Sequence, residues 1–292
     1  MANADLKILS HTDRSYPPLL GEIAHPPHTL HYAGALPSAN DTCVAVVGTR
    51  RATAYGTAAA GTIAEALARA GAIVVSGLAI GIDATAHRGA LRGGGKTVAV
   101  LPAHPSIVYP RAHGGLAQEI LARNGCLLSE YAPGEAVHAS NFLARNRIIS
   151  GLCRAVVIVE APESSGALAT ARFALEQNRD VLVVPGPITA ATFVGSHRLI
   201  RDGAALVASA EDVLQELGLA AGSDAHAADH PPIHDPVQRV IFALVRSAPT
   251  GVSIDNLVEQ SKLQPHAVQE AVTFLALANR ITEENGVCRS VI

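Results

Sequence analysis

One stretch restricts the folds open to this chain more than any other: "CVAVVGTRRATAYGTAAAGTIAEALARAGAIVVSGLAIGID", residues 43–83. An apolar strand runs into a glycine, a helix with Ala and Leu at helical spacing follows, and a second apolar strand closes the unit. A nucleotide-binding βαβ unit starts this way. A dinucleotide site needs G-x-G-x-x-G and, about 20 residues on, an acidic residue for the ribose. Gly48 is in place, but Arg50 and Thr53 fill the next two glycine positions, and the second strand ends at Ser76-Gly77 without a carboxylate. A side chain at the second position blocks close approach of a pyrophosphate, whereas an arginine fork suits a phosphate held at side-chain distance. The Gly48 turn and the helix N-terminus behind it are expected to take an anion other than NAD or FAD. No cofactor is expected.

Strand-like runs recur at residues 44–47, 73–76, 97–101, 126–129, 155–160, 181–184 and 205–207, with helical segments between them. Most are continuous apolar runs, as strands buried on both faces should be. The alternation predicts an α/β fold, a doubly wound parallel sheet, over residues 41–217. Residues 1–40, rich in Pro and turn formers, read as an N-terminal extension packed on that domain. Residues 218–235 are polar and aperiodic and read as a linker. His226, His230 and His234 recur there every four residues, but Pro231 and Pro232 break the helix a metal face would need. Residues 236–292 read as three helices and a short hairpin, a winged-helix-like module.

Charge is unevenly spread. Residues 41–205 carry 15 Lys and Arg against 11 Asp and Glu, whereas residues 206–292 carry 5 against 11. A polyanion should meet the central domain and not the tail. Aromatics make up 3% of the chain and Trp is absent, which leaves Phe142, Tyr55 and Tyr109 as the few stacking residues for a nucleobase. Four widely spaced cysteines read as reduced core residues, and no 18-residue apolar run or signal peptide is seen, so a cytoplasmic protein without membrane insertion is expected.

The chemistry-bearing residues cluster at strand exits. "SGLAIGIDATAH" supplies Ser76 and Gly77, with Asp83 and His87 four apart on one helix face; a local hydrogen bond between these two is favoured over an acid/base pair. "NFLARNRIISGL" supplies Arg145, Asn146 and Arg147 as a phosphate clamp, with one arginine free to be structural. "VEAPESSGALATA" turns through Ser164, Ser165 and Gly166 into a helix bearing Thr170, an anion-ready helix start. A later stretch repeats the plan with Gly186, Gly195 and Arg198. "RGGGKT" at 92–97 is no P-loop, because it leads into a strand and not a helix. With no Cys–His pair, metal-ligand cluster or paired carboxylates beside these turns, the site looks built to hold phosphates without breaking bonds.

As an ordered set, "VGTRRATAYG", "SGLAIGIDATAH", "TVAVLPAHPSIVYP", "LLSEYAPG", "FLARNRIISGL", "VIVEAPESSGALATA", "VLVVPG" and "GSHRLIRDGA" resemble the bacterial DNA-processing protein A (DprA/Smf) family over residues 16–217. The resemblance implies an extended Rossmann fold that binds and protects single-stranded DNA, loads the RecA recombinase on it in natural transformation, and forms homodimers. It implies no catalytic residue. Carried over by position, Gly48, Thr49 and Arg50 match the family's Gly-Ser-Arg loop, Arg145, Asn146 and Arg147 its Arg-Asn-Arg element, and Ser165-Gly166 its Ser-Gly turn. Ser164 stands where members usually have Lys, "PAHP" at 102–105 replaces a Gly-x-Gly, and Leu143 replaces a Pro. The rival reading is a nucleotide-binding enzyme of the nucleoside-monophosphate phosphoribohydrolase type, and the acidic tail reads alternatively as a protein-contact module. Alanine at Arg50 or at Arg145 is expected to weaken DNA binding without unfolding the chain.

Overall fold

The computed structural model describes residues 5–219, 233, 235–248, 251–278, 280–284 and 286–290. These fall in two compact units, Met1–Ser223 and Asp224–Ile292. Nearly all of the expected linker, with His226, His230 and His234, lies outside the described residues.

The first unit opens with strand β1 (Leu6–Ser10), the short helix α1 (Pro18–Gly21) and strand β2 (Thr29–Gly34). Strand–helix alternation follows: β3 (Cys43–Val47), α2 (Ala54–Arg69), β4 (Ile73–Ser76), α3 (Ile82–Arg92), β5 (Thr97–Val100), α4 (Gly114–Ala122) and β6 (Cys126–Ser129). The chain continues through α5 (Ala139–Ala144), α6 (Asn146–Gly151), β7 (Ala155–Ile158), α7 (Gly166–Glu176), β8 (Asp180–Val183), α8 (Val194–Arg201), β9 (Ala205–Leu206) and α9 (Ala210–Glu216). Nine strands form one sheet in the order β1-β2-β6-β5-β4-β3-β7-β8-β9.

The seven strands from β3 to β9 run parallel, in the Rossmann-like arrangement expected from their apolar runs. All five residues of β3 are buried, because Cys43, Ala45 and Val47 pack into one face's core and Val44 and Val46 into the other's. Two-sided burial explains why the strand does not alternate in polarity. The first core lies under α6 and α7, the second under α2, α3 and α9.

Residues 5–40 do more than pack on the sheet. β1 and β2 join it, β2 pairing antiparallel with β6 through His31–Ser129 to Gly34–Cys126, so the sheet is mixed and not purely parallel. Leu9, Tyr16, Leu20, Ile23 and Leu30 enter the first core, and the Tyr16 hydroxyl donates to the Pro27 carbonyl at 2.8 Å.

The second unit contains α10 (Pro236–Arg246), β10 (Val252–Ser253), α11 (Ile254–Ser261), α12 (Pro265–Leu277), β11 (Ile281–Glu284) and β12 (Val287–Ser290). The three strands pair in the order β10-β12-β11 beside the three helices, a winged-helix-like module. Its helix starts are written locally. The Asp235 carboxylate accepts from the Val237 and Gln238 amides ahead of Pro236, Ser253 caps α11 by accepting from Asn256, and Pro265 opens α12. Ile241, Val245, Leu257, Val268, Val272 and Leu275 form its core.

Gly34 tests whether the N-terminal hairpin belongs to the sheet. Its φ of +89° is left-handed, and a Cβ there would collide with the Gly125 carbonyl oxygen. Gly34→Ala is expected to lower stability by about 2–4 kcal/mol. Urea unfolding followed by circular dichroism measures it; an unchanged midpoint would show that the hairpin is not held against β6.

Candidate functional site

The chain builds outward from β3 through β4, β5 and β6, then returns to lay β7 on β3's other side. Neighbouring loops diverge at such a switch point and leave a crevice at the carboxyl ends of the strands. A cleft of about 410 Å³ opens there. Nine of the twelve residues assigned from sequence line it: Gly48, Thr49 and Arg50 from the β3–α2 loop, Arg145 and Asn146 from the α5–α6 junction, and Ser164, Ser165, Gly166 and Thr170 from the start of α7. Arg51, Asp83, Phe142 and Leu143 complete most of the wall.

The helix starts after β3 and β7, on the two sides of the switch point, are not equivalent. The N-cap of α2 already holds a side chain from the protein itself. The Glu160 carboxylate, fully buried, accepts at Oε2 from the Thr53 amide at 3.0 Å and the Thr53 hydroxyl at 2.9 Å. Gly56 makes room for it, since a Cβ there would overlap Oε2. An internal carboxyl group thus occupies the N-cap of α2, a partner the sequence reading of the Gly48–α2 turn did not include. Gly48 serves packing, because a Cβ would come within 2.6 Å of Ile82 Cγ1.

The start of α7 is different. Ser165 caps it by accepting from the Ala167 amide at 3.2 Å, and the Asn146 side-chain amide donates to the Gly166 carbonyl at 3.2 Å. A Cβ on Gly166 would meet nothing within 4 Å, so this turn faces open space. Across the cleft Arg50 and Arg51 are exposed, and the Arg50 guanidinium sits over the Phe142 ring at 5.5 Å. Positive charge and a free helix start thus face one volume.

Arg145 lines the cleft but spends its hydrogen bonds inside the protein. Only 4% exposed, it donates through Nη1 to the Gly77 carbonyl at 2.8 Å and to the Val100 carbonyl, and through Nε to Asn146 Oδ1 at 3.2 Å. It ties the exits of β4 and β5 together. Burial pushes its pKa down to about 10, and the Asp83 carboxylate draws it the other way.

Three assigned residues stand outside the cleft lining. Ser76 is buried and donates to the Val46 carbonyl at 2.7 Å. Gly77 is small to accommodate Arg145, whose guanidinium lies where a Cβ would project. Arg147 forms a two-pronged pair with Glu130, 2.7 Å at each prong, and pins α6 to the end of β6. The later glycine-rich stretch is also structural, with Gly186 under the Phe193 ring and Arg198 paired to Asp202 at 3.7 Å.

Asp83 and His87 have separate partners. Asp83 accepts from the Gly77 amide at 3.1 Å and the Ala79 amide at 3.4 Å, and burial raises its pKa against the pull of Arg145. The Thr97 hydroxyl donates its one proton to the Val74 carbonyl at 2.6 Å, so His87 Nδ1, 2.7 Å away, must be the donor to Thr97. His87 is neutral, its pKa pushed down to about 3 first by burial and then by electrostatic interaction with His113, Arg145 and Arg88.

A mixed Rossmann-like sheet with a basic, hydroxyl-rich switch-point cleft and a winged-helix-like unit defines the class of protein. The particular family follows from comparison. The profile of the family described as DNA recombination-mediator protein A matches residues 7–218, and the chain belongs to that family. It is 43% identical over 204 residues to the DNA processing protein DprA of Streptococcus pneumoniae, covering 70% of this chain and 72% of that one. It is 43% identical over 202 residues to the Smf protein of Escherichia coli, covering 69% of this chain but 54% of that one. The chain thus spans about half the length of some relatives. Its fold is similar to the crystal structure of the Streptococcus protein, with a TM-score of 0.68, 41% identity and coverage of 73% and 74%. It also resembles the DNA processing protein A of Helicobacter pylori, a structure described for its single-stranded DNA binding mode, with a TM-score of 0.65, 30% identity and coverage of 73% and 96%.

The two arginines of the cleft should respond differently to truncation. Arg145→Ala strands two buried carbonyls and is expected to cost about 2–5 kcal/mol, against the expectation from sequence, while Arg50→Ala should leave stability within about 0.5 kcal/mol. Thermal and urea unfolding of both variants checks this, and equal stability would refute the structural role of Arg145.

His87 gives a pH-dependent outcome. Its folded pKa lies below its unfolded value, so the unfolded chain takes up a proton that the native state refuses as pH falls below about 6.5. Stability from this residue is present above that pH and lost below it; the raised pKa of Asp83 acts with the opposite sign. His87→Asn keeps a donor toward Thr97 and should remove about 2 kcal/mol of the loss between pH 7 and pH 5. Unfolding curves at the two pH values read it out.

Proposed function

We propose that this protein binds single-stranded DNA by laying its phosphates in the switch-point cleft, protects the strand, and loads the RecA recombinase on it during natural transformation, acting as a cytoplasmic homodimer. One observation carries the reading. The open first turn of α7, at Ser164–Ala167, faces exposed Arg50 and Arg51 across a cleft that has no internal anion at that helix end. Backbone amides and arginine forks recognise phosphate oxygens and read no base edges, so binding is salt-dependent and largely sequence-independent. The family membership supports the recombination-mediator part, and the Helicobacter relative supports the choice of ligand.

Chemistry on the ligand is not part of the proposal. A phosphoribohydrolase would need a carboxylate on the helix after the glycine turn and close to its start. The first one after Gly166 is Glu176, the last residue of α7, about 15 Å along the axis. Asp83 is committed to two backbone amides. The winged-helix-like unit is assigned to protein contact, because α12 carries no Lys or Arg and its exposed positions include Glu270, Phe274 and Leu277. Among the described residues no helix is long and apolar enough to cross a membrane.

Fluorescence anisotropy with labelled single- and double-stranded oligonucleotides at two salt concentrations tests the proposal. Preference for the single strand is expected, with Arg50→Ala reducing the log–log salt slope by about 0.7. Gly166→Ala should weaken binding at least tenfold, by filling the space above α7, while changing stability by no more than about 1 kcal/mol. Absence of binding at low salt would reject the assignment.

A further inference from the structure

The cleft has an extension that its phosphate-binding parts do not explain. Phe142 is the aromatic residue in the cleft wall, and Tyr109 packs against it edge to face with ring centroids 5.0 Å apart. Arg50 covers Phe142 from its own side at 5.5 Å. Phe142 thus touches two planar groups, the Arg50 guanidinium and the Tyr109 phenol ring. The three residues come from segments far apart in the chain, at residues 50, 109 and 142. In a sequence with five tyrosines and no tryptophan, the meeting of two aromatics at the mouth of a basic cleft uses a scarce resource.

Phe142 is partly buried and in contact with both Arg50 and Tyr109, whereas Tyr109 is 48% exposed. A large aromatic side chain that leaves half its surface in water is available for stacking, and a phenol ring offers a nucleobase a face whose attraction does not depend on base identity. The loop bearing Tyr109 is anchored at both ends. The Pro102 carbonyl accepts from the Asn141 side-chain amide at 3.2 Å, and His113 Nδ1 lies 2.7 Å from the Leu78 carbonyl. Asn141 precedes Phe142, so one hydrogen bond fixes the loop to the helix that carries its aromatic partner.

We propose that Tyr109 is a second subsite of the cleft, stacking one nucleobase of a strand whose neighbouring phosphate lies between Arg50 and α7, so that the minimal ligand is an oligonucleotide and not a phosphate or mononucleotide. The proposal rests on the single-stranded DNA reading and adds a base-dependent component to it. Loss of one stacked base lowers affinity by roughly 5- to 150-fold.

The test compares two ligands of equal length and charge, a thymidine oligomer and an abasic sugar-phosphate oligomer, against the full chain and its Tyr109→Ala and Tyr109→Phe variants. Tyr109→Ala should weaken the thymidine oligomer by the stated factor and leave the abasic one within twofold; Tyr109→Phe should bind both as the parent does. Stacking should also quench tyrosine emission on thymidine binding, a signal reduced in Tyr109→Phe. Equal affinity of the parent for the two oligomers would overturn the subsite while leaving the DNA reading intact. So would an equal loss on both ligands in Tyr109→Ala, with circular dichroism reporting whether the variant is folded. Binding of neither oligomer by the parent would overturn the DNA reading and the subsite with it.

Discussion

The carboxylate of Glu160 in the first turn of α2 is the contact on which the geometry of the cleft depends. It leaves the sheet just beyond β7 and reaches across to the loop after β3, so it joins the two loops that a switch point would otherwise let diverge. The Thr49 amide reinforces the join by donating to the Glu160 carbonyl at 2.7 Å. A buried carboxylate needs donors of this kind, and a helix N-terminus supplies them together with a favourable dipole. Glu160 occupies the N-cap of α2, whereas a Cβ at Gly166 on the start of α7 would meet nothing within 4 Å. The asymmetry is the reason the proposed phosphate site is placed at α7 and not at α2.

The same logic of internal use runs through the arginines. Arg145, Arg147 and Arg50 are chemically alike, yet one ties two strand exits together, one pins a helix to a carboxylate, and one stays at the surface over an aromatic ring. What separates them is where the backbone carries them. Buried guanidinium groups are tolerated when carbonyls and carboxylates take their protons, and the ends of parallel strands are rich in such carbonyls. At the cleft floor Arg145 and Asp83 are bound to backbone groups of the fold, whereas Arg50 and Arg51 at the rim are exposed.

Much of this was legible in the sequence, for a physical reason. Strands buried on both faces announce themselves as apolar runs, and residues 73–76 and 126–129 were bounded as they stand in the structure. The cleft's location followed from Gly, Ser and Arg recurring at strand exits. The N-terminal hairpin was less visible, because "LKILS" and "TLHYAG" become strands only against the edge of β6, a tertiary cause with no local signal. The roles of Ser76, Gly77 and Arg147 were misread since residue type shows capacity for phosphate binding and not which partner is nearer. Glu160 carried one overlooked hint, a carboxylate closing an otherwise apolar run; its partner Thr53 stands 107 residues away.

That separation has a consequence for how the molecule is made. β3 is central among the seven parallel strands, but its second neighbour, β7, is more than a hundred residues later in the chain. Until β7 is synthesised, β3 is an unprotected edge and Glu160 does not yet exist to fill the start of α2. Contacts this distant in sequence form late and slow the closing of a sheet. The crevice accordingly draws its walls from both halves of the domain's chain, and a chain cut short before residue 164 lacks the start of α7 that forms one of them.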